Sequence, residues 1–183
     1  TKIRTLTKEY YAKHVVIAAG SWSPYLLNNF SLSLPIIPAK GYSVTFEKPT
    51  GALTIPAILG EVKVGVNPMG SMMRLAGTLE LTGFDFSENP RRVNAMVKAA
   101  NDYIISVKTI QNISKNHWSG LRPVAPDGLP VIGSYEKHPN IIVATGHAMM
   151  GMTLGPITGK IVSEMVCNQP LSADVIPISP NRF

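Results

Sequence analysis

The sequence predicts an α/β fold that is interrupted by an antiparallel sheet with its own helix. Two short apolar runs, at residues 14–20 and 141–146, have the length and the β-branched content of strands buried in a parallel sheet. Between them, two partly alternating segments flank a turn that contains proline and glycine, which is the pattern of a β-hairpin. We therefore expect one domain, made of residues 1–35 and 119–183, into which residues 36–118 are inserted as a second domain.

The first third of the chain predicts extended segments followed by a short helix. Residues 1–13 alternate weakly between apolar and polar side chains, as a strand or a hairpin does. Residues 14–20 then form a strand buried on both faces and end in small residues. Residues 21–24, Ser-Trp-Ser-Pro, offer a capping serine and a proline for a short helix that reaches Asn28.

The middle of the chain predicts an antiparallel sheet and one amphipathic helix. Residues 41–46 indicate a strand, and residues 62–67 and 72–81 indicate the two arms of a hairpin. The helix begins at Pro90, capped by Ser87 or Asn89. Its apolar residues recur at helical spacing and predict a face packed in the core: Val93, Met96, Val97, Ala100 and Ile104.

The last third predicts a return to parallel-sheet character. Residues 129–133 and 141–146 indicate short strands, and residues 136–140 indicate the turn between them. A helix follows from about Met152 to Cys167, and residues 177–183 form an extended tail. The helix has an apolar face made of Leu154, Ile157, Ile161, Val162 and Met165.

The composition excludes several classes of protein. No apolar run approaches the roughly 18 to 20 residues that span a bilayer. The net charge of +6 is scattered and forms no basic stripe interleaved with aromatic residues, so we do not expect nucleic acid binding. The lone Cys167 excludes an internal disulfide. The four histidines lack metal-ligand spacing, and the serines lack the elbow motif of hydrolases.

Arg122 is the first candidate for chemistry. Pro123 disfavours helical backbone at Arg122, so we expect a rigid turn in which Arg122 itself is extended. The planar guanidinium group can bind a carboxylate through two parallel hydrogen bonds and stays charged at any working pH. A structural ion pair is the alternative that spacing alone leaves open.

The second candidate is the segment from Gly146 to Thr153. A strand that ends in Gly-His and continues into a helix through Gly151 brings backbone N–H groups and a positive dipole end to one place. A plain strand-to-helix turn that needs glycine for its backbone angles is the alternative. Gly20, at the end of the first buried strand, leaves room for a ligand or for a tightly packed helix.

Taken together, the segments resemble the C-terminal part of the flavin-dependent D-amino acid oxidase and dehydrogenase family, and in particular bacterial D-amino acid dehydrogenases. The resemblance runs in order along almost the whole chain. The matching segments are VVIAAGSWS (15–23), PAKGYS (38–43), LAGTLE (75–80), GLRP (120–123), PDGLP (126–130), GH (146–147), GMTL (151–154) and PITG (156–159).

The resemblance implies a doubly wound FAD-binding domain with an inserted antiparallel-sheet substrate domain. It implies oxidative deamination of a D-amino acid to a 2-oxo acid and ammonia by hydride transfer to FAD, with Arg122 as the carboxylate anchor. A quinone or a respiratory chain would then accept the electrons, in the cytoplasm or at the periphery of the inner membrane. The residues assigned to FAD binding are Gly20, Gly146, His147, Ala148, Met149, Met150, Gly151, Met152 and Thr153.

Two departures from the family pattern limit the resemblance. The G-x-G-x-x-G loop that holds the FAD diphosphate is absent, and the chain starts at Thr1. We therefore expect a C-terminal fragment that binds FAD weakly or not at all and needs the N-terminal part of the same enzyme. The residues Ala148, Met149 and Met150 also differ from several relatives. A related oxidoreductase of glycine, sarcosine or hydroxyproline, or a non-catalytic subunit of a heteromeric flavoenzyme, remains the alternative.

Overall fold

The computed structural model describes residues 1–104 and 117–183. These residues form two compact units, one made of Thr1–Pro38 and Arg122–Phe183 and the other of Ala39–Leu121. In chain order the elements are β1 (Lys2–Arg4), β2 (Glu9–Tyr11), β3 (Val15–Ile17), α1 (Ser23–Asn28), β4 (Ile37–Glu47), β5 (Ala57–Leu59), β6 (Val64–Met69), β7 (Met72–Glu80), α2 (Pro90–Tyr103), β8 (His117–Val124), β9 (Val131–Tyr135), β10 (His138–Thr145) and α3 (Gly151–Val166).

The first unit contains a three-stranded sheet in the order β3-β10-β9. Strand β10 runs parallel to β3 and antiparallel to β9, so the expectation of parallel-sheet character is correct for one pair and wrong for the other. The short turn at residues 136–137 explains the difference, because a parallel connection needs a long crossover.

The two apolar strands differ in burial. Strand β10 is buried on both faces at Ile141, Ile142 and Val143, as predicted. Strand β3 lies at the edge of the described sheet, and its Val16 is 42% exposed. The prediction that this strand is buried on both faces is therefore wrong for the described residues.

The core of the first unit combines the sheet with α1 and the segment that follows it. Leu27 of α1 is fully buried, and Leu34 and Ile36 pack with it against the sheet residues. Ile161 is the buried apolar residue of α3, whereas Ile157 on the predicted apolar face is exposed. Only part of that predicted face is therefore used for packing in the described residues.

The C-terminal tail packs as two short 3₁₀ turns, Ile176–Ile178 and Pro180–Arg182, rather than as the predicted extended segment. Arg182 donates to both carboxylate oxygens of Asp127, at 2.7 and 3.1 Å. Asn181 donates to the carbonyl oxygen of Ser134 in β9 and accepts from the backbone N–H of Glu136. These polar contacts, which the apolar pattern does not encode, hold the tail against β9.

The second unit is built on an antiparallel sheet in the order β5-β6-β7-β4-β8. Strands β6 and β7 form the predicted hairpin, and Gly70 adopts a left-handed φ of +63° in its turn. Helix α2 begins at Pro90, and the side chain of Asn89 accepts from the backbone N–H of Arg91, as a helix cap does. The predicted apolar face of α2 packs on the sheet.

A buried lysine binds the segment between β7 and α2 to this sheet through hydrogen bonds. The Nζ atom of Lys40, which is 1% exposed, lies 2.7 Å from the carbonyl oxygen of Ser87 and 3.0 Å from Asp85. Glu80 lies 3.6 Å from the same Nζ atom and accepts a hydrogen bond of 2.7 Å from the hydroxyl group of Tyr42. The buried charge is therefore paired and hydrogen-bonded, as burial demands.

Within the described ranges, none of the helices has the length and the apolar character needed to cross a membrane.

Candidate functional site

Strand β8 carries the predicted anchor Arg122. Its backbone is extended, as the following proline predicts, but it lies within a strand, so the expectation of a rigid turn is wrong. Burial lowers the pKa of Arg122 from its usual value. An arginine nevertheless remains cationic at neutral pH, and partial burial strengthens its attraction to a carboxylate.

The end of β8 meets the loop that follows β10. The backbone N–H of Ala148 donates to the carbonyl oxygen of Pro123 at 2.9 Å, and Val124 pairs with His147 in an antiparallel bridge. The structure thus brings together two segments that sequence reasoning selected separately. The hydrogen bond and the bridge lie within the first unit.

Gly20 joins the same cluster from the end of β3. The hydroxyl group of Thr145 donates to its carbonyl oxygen at 2.9 Å, and a Cβ atom added to Gly20 would lie 4.0 Å from Pro123. Gly20 also has a left-handed φ of +55°, which glycine adopts without strain. The backbone conformation is therefore a sufficient reason for glycine at this position, apart from the two reasons, a ligand or a tightly packed helix, considered from the sequence.

The loop from Gly146 to Ala148 is tightly constrained. Gly146 has a φ of +78°, and a Cβ atom there would lie 3.2 Å from the side chain of Ile36 and 3.3 Å from Val131. Ala148 has a φ of +48°, which costs a non-glycine residue about 1–2 kcal/mol. The fold therefore fixes this loop through packing and through a strained backbone.

The loop leads into the start of α3, where the backbone is open to a ligand. Met150 caps this helix without a side-chain hydrogen bond, and no acidic residue lies in the first turn of this fully described helix. The first amides of a helix have no partner inside the helix and form its positive end. Gly151, Met152 and Thr153 are exposed, and the side chain of Met152 is 94% exposed.

His147 is held inside the first unit by a threonine that sequence reasoning missed. Its Nε2 atom lies 2.9 Å from the hydroxyl oxygen of Thr158, which is buried. Burial lowers the pKa of His147 below its usual value, so the ring is neutral at neutral pH. The sequence signal that could have found Thr158 is its place one helical turn after Leu154, among apolar neighbours.

The structure therefore assembles Gly20, Arg122 and the segment Gly146–Ala148 around Pro123. Met149, Met150 and Met152 follow this segment in the chain, and their side chains are exposed to solvent. The roles of these residues in binding remain predictions. An anionic ligand fits the start of α3, because the first backbone amides of a helix form its positive end.

A comparison with protein families identifies the class. The model of the family DAO, described as FAD dependent oxidoreductase, matches residues 1–165. The chain belongs to this family. It is therefore a member of the FAD-dependent oxidoreductases, as the ordered resemblance predicted.

Curated relatives within the DAO family are D-amino acid dehydrogenases. One from Paramagnetospirillum magneticum is 34% identical over 174 residues, which cover 94% of this chain and 40% of that protein. One from Bradyrhizobium diazoefficiens is 31% identical over 170 residues, covering 92% of this chain and 40% of that protein. The chain thus spans about 40% of the length of these relatives.

Solved structures of DAO-type enzymes share the fold. Glycine oxidase from Geobacillus kaustophilus superposes with a TM-score of 0.90 at 26% identity, covering all of this chain and 49% of that one. L-proline dehydrogenase from P. horikoshii superposes with a TM-score of 0.86 at 19% identity, covering all of this chain and 50% of that one. The mixed helix and sheet architecture predicted from the sequence is confirmed.

Proposed function

We propose that the chain supplies the carboxylate anchor and one flavin-facing wall of an FAD-dependent D-amino acid dehydrogenase. The observation that supports this most strongly is the hydrogen bond between Ala148 and Pro123, because it sets the segment after Arg122 against the loop that leads into α3. Curated relatives named D-amino acid dehydrogenase support D-amino acids as the proposed substrate class.

Arg122 binds the carboxylate of the amino acid. Its guanidinium group offers parallel N–H donors to the two carboxylate oxygens, and its partial burial reduces the competition from water. Holding the carboxylate in one orientation also fixes the position of Cα. The chain's contribution to the rate is then mainly orientation, so this proposal assigns it no general base.

The loop Gly146–Thr153 faces the flavin. The residues fit a flavin because the positive end of α3 carries no competing acidic side chain, and the pyrimidine edge of the ring gains negative charge on reduction. Bound FAD supplies the acceptor for the hydride that leaves Cα. The amine loses a proton, and water hydrolyses the imino acid to a 2-oxo acid and ammonia.

A related amine oxidoreductase is the second candidate, and the superposition on glycine oxidase favours keeping it. A turnover screen of the FAD-loaded enzyme against D-Ala, D-Pro, glycine and sarcosine separates the two. Preference for D-Ala or D-Pro supports the dehydrogenase, whereas preference for glycine or sarcosine supports the alternative.

We propose a quinone or respiratory-chain electron acceptor at a peripheral membrane site, which reduction assays with a soluble quinone would test.

Arg122→Lys in the FAD-loaded enzyme tests the anchor. Lysine keeps the charge but loses the planar fork, so we expect KM for the amino acid to rise by about tenfold or more, consistent with loss of about 1.4 kcal/mol or more of binding. The matched control is Arg91→Lys on the exposed surface of α2, which should leave KM unchanged. Unchanged kinetics in Arg122→Lys would remove Arg122 from the site.

A further inference from the structure

Thr158 is a buried polar residue of α3 whose hydroxyl group has two partners. Its Oγ1 atom donates to the carbonyl oxygen of Leu154 at 2.8 Å and lies 2.9 Å from Nε2 of His147. A hydroxyl group has one hydrogen, and the geometry allows it to lie in the bond to Leu154. When the hydroxyl hydrogen lies in the bond to Leu154, the oxygen has only lone pairs to offer to His147, and Nε2 then carries the hydrogen of the imidazole.

The protonation of the ring then follows. Burial lowers the pKa of His147, so the ring is neutral and carries one hydrogen. With this hydrogen on Nε2, the other nitrogen, Nδ1, has a lone pair and no hydrogen. The backbone around His147 is fixed as well, because Val124 pairs with His147 and Pro123 accepts from Ala148.

We propose that Thr158 is a positioning residue that holds His147 in the tautomer with hydrogen on Nε2, so that Nδ1 acts only as a hydrogen-bond acceptor. The proposal rests on the proposed function, in which His147 lines the flavin. The oxidised isoalloxazine ring has one N–H donor, at N3, beside its carbonyl acceptors, and reduction adds a donor at N5. An acceptor-only nitrogen pairs with the donors and not with the carbonyl oxygens.

Nitrogen-15 NMR of the 183-residue chain tests the tautomer directly. Long-range ¹H–¹⁵N spectra distinguish a ring nitrogen that carries hydrogen from one that does not, and His147→Gln assigns the resonances among the four histidines. We expect one tautomer for His147, with hydrogen on Nε2, and a slowly exchanging Nε2–H proton. Hydrogen on Nδ1 in the wild-type chain would overturn the proposal.

Two substitutions test the part that Thr158 plays. Thr158→Val keeps the shape and removes the hydroxyl group, so the Nε2–H proton should exchange faster and both tautomers should appear. Thr158→Ser keeps the hydroxyl group and should give the wild-type spectrum. Ser163→Ala removes an exposed hydroxyl group from the same helix and should leave the spectrum unchanged. A wild-type spectrum in Thr158→Val would count against the proposal. If that variant does not fold, the position of the ring hydrogen in the wild-type and Thr158→Ser spectra decides.

The result is separable from the proposed function. The NMR readout needs no flavin and no turnover, whereas the anchor role of Arg122 is measured by KM. Unchanged kinetics in Arg122→Lys would remove the proposed function and leave the tautomer standing. A raised KM together with hydrogen on Nδ1 would overturn only the role of Thr158.

Discussion

At the scale of single residues, the site depends on backbone conformations that few side chains tolerate. Gly20, Gly146 and Ala148 all have left-handed φ angles, and they surround Pro123 and Val124. The two glycines differ in the space around them, because Gly20 has room for a Cβ atom and Gly146 does not. This difference allows backbone strain to be separated from packing.

Gly146→Ala should destabilise the protein more than Gly20→Ala. Both substitutions add the strain of a left-handed non-glycine residue, about 1–2 kcal/mol, offset in part by the loss of freedom in the unfolded chain. At Gly146 the new Cβ atom must also displace Ile36 and Val131, which adds about 1–3 kcal/mol. Urea unfolding of both variants provides the measurement. Equal losses would show that the surroundings of Gly146 relax freely.

At the scale of elements, two polar clusters hold segments whose positions the apolar pattern of the sequence does not predict. Arg182 and Asn181 hold the C-terminal tail to β9 and to the turn at Asp127. Lys40 holds the segment between β7 and α2 through Asp85 and Ser87. In both clusters a cation binds a carboxylate and a backbone carbonyl together, so each can be tested through one charged pair.

Asp127 and Arg182 should be coupled more strongly than an exposed pair. The Arg182 hydrogen bonds hold the pKa of Asp127 below its usual value, and the contact is bidentate. A double-mutant cycle with Asp127→Asn and Arg182→Ala should give a coupling of about 1–3 kcal/mol. The exposed pair Lys2 and Glu9, 2.8 Å apart, is the matched control and should give about 0.2–1 kcal/mol. Similar couplings would mean that the tail pair is equivalent to a surface pair.

Asp85 should make stability depend on pH in the acid range. Hydrogen bonds from the side chain and backbone of Ser87, and then from Lys40, lower its pKa from 3.8 to about 2. A lowered pKa in the folded state stabilises the protein fully above about pH 4, and this stabilisation is lost as the pH falls through about 2. Asp85→Asn should therefore lie closer to the wild type in stability at pH 2 than at pH 5 in urea unfolding. Asp102→Asn, at an exposed position on α2, is the control. A difference in unfolding free energy between Asp85→Asn and the wild type that does not change with pH would contradict the assignment.

At the scale of the whole molecule, the chain belongs to a known family but spans only part of the length of its relatives. It belongs to the FAD-dependent oxidoreductases and spans about 40% of curated D-amino acid dehydrogenases. In the 183 residues, no two glycines are separated by one residue, so the sequence contains no G-x-G-x-x-G loop. The residues proposed to face the flavin ring are those of the loop before α3, which is not a glycine-rich motif of this kind.

The chain by itself should bind FAD weakly. The diphosphate of FAD is normally held by the amides of a glycine-rich loop at a helix start, and its two negative charges need such a partner. We expect no flavin absorbance to remain with the purified chain after desalting, and quenching of added FAD fluorescence only at high protein concentration. Tight one-to-one FAD would contradict this and would locate the diphosphate elsewhere in the chain.

The sequence by itself determined the class of elements and the family. The hairpin of β6 and β7, the cap and apolar face of α2, and the buried β10 all follow from local periodicity and capping chemistry. The ordered motifs also indicated the family, which the match over residues 1–165 confirmed. These features depend on neighbours in the chain, and so they are readable without a fold.

Only the tertiary structure decided which of these residues meet. Gly20 lies about a hundred residues before Pro123 in the sequence. A backbone hydrogen bond joins Ala148 to Pro123, and the side-chain hydroxyl group of Thr145 donates to the carbonyl oxygen of Gly20. The hydrogen bond between His147 and Thr158 and the one from Arg182 to Asp127 likewise depend on how the folded chain places these side chains. A sequence pattern records which side chains are apolar, but not which polar groups lie within 3 Å of each other in the fold.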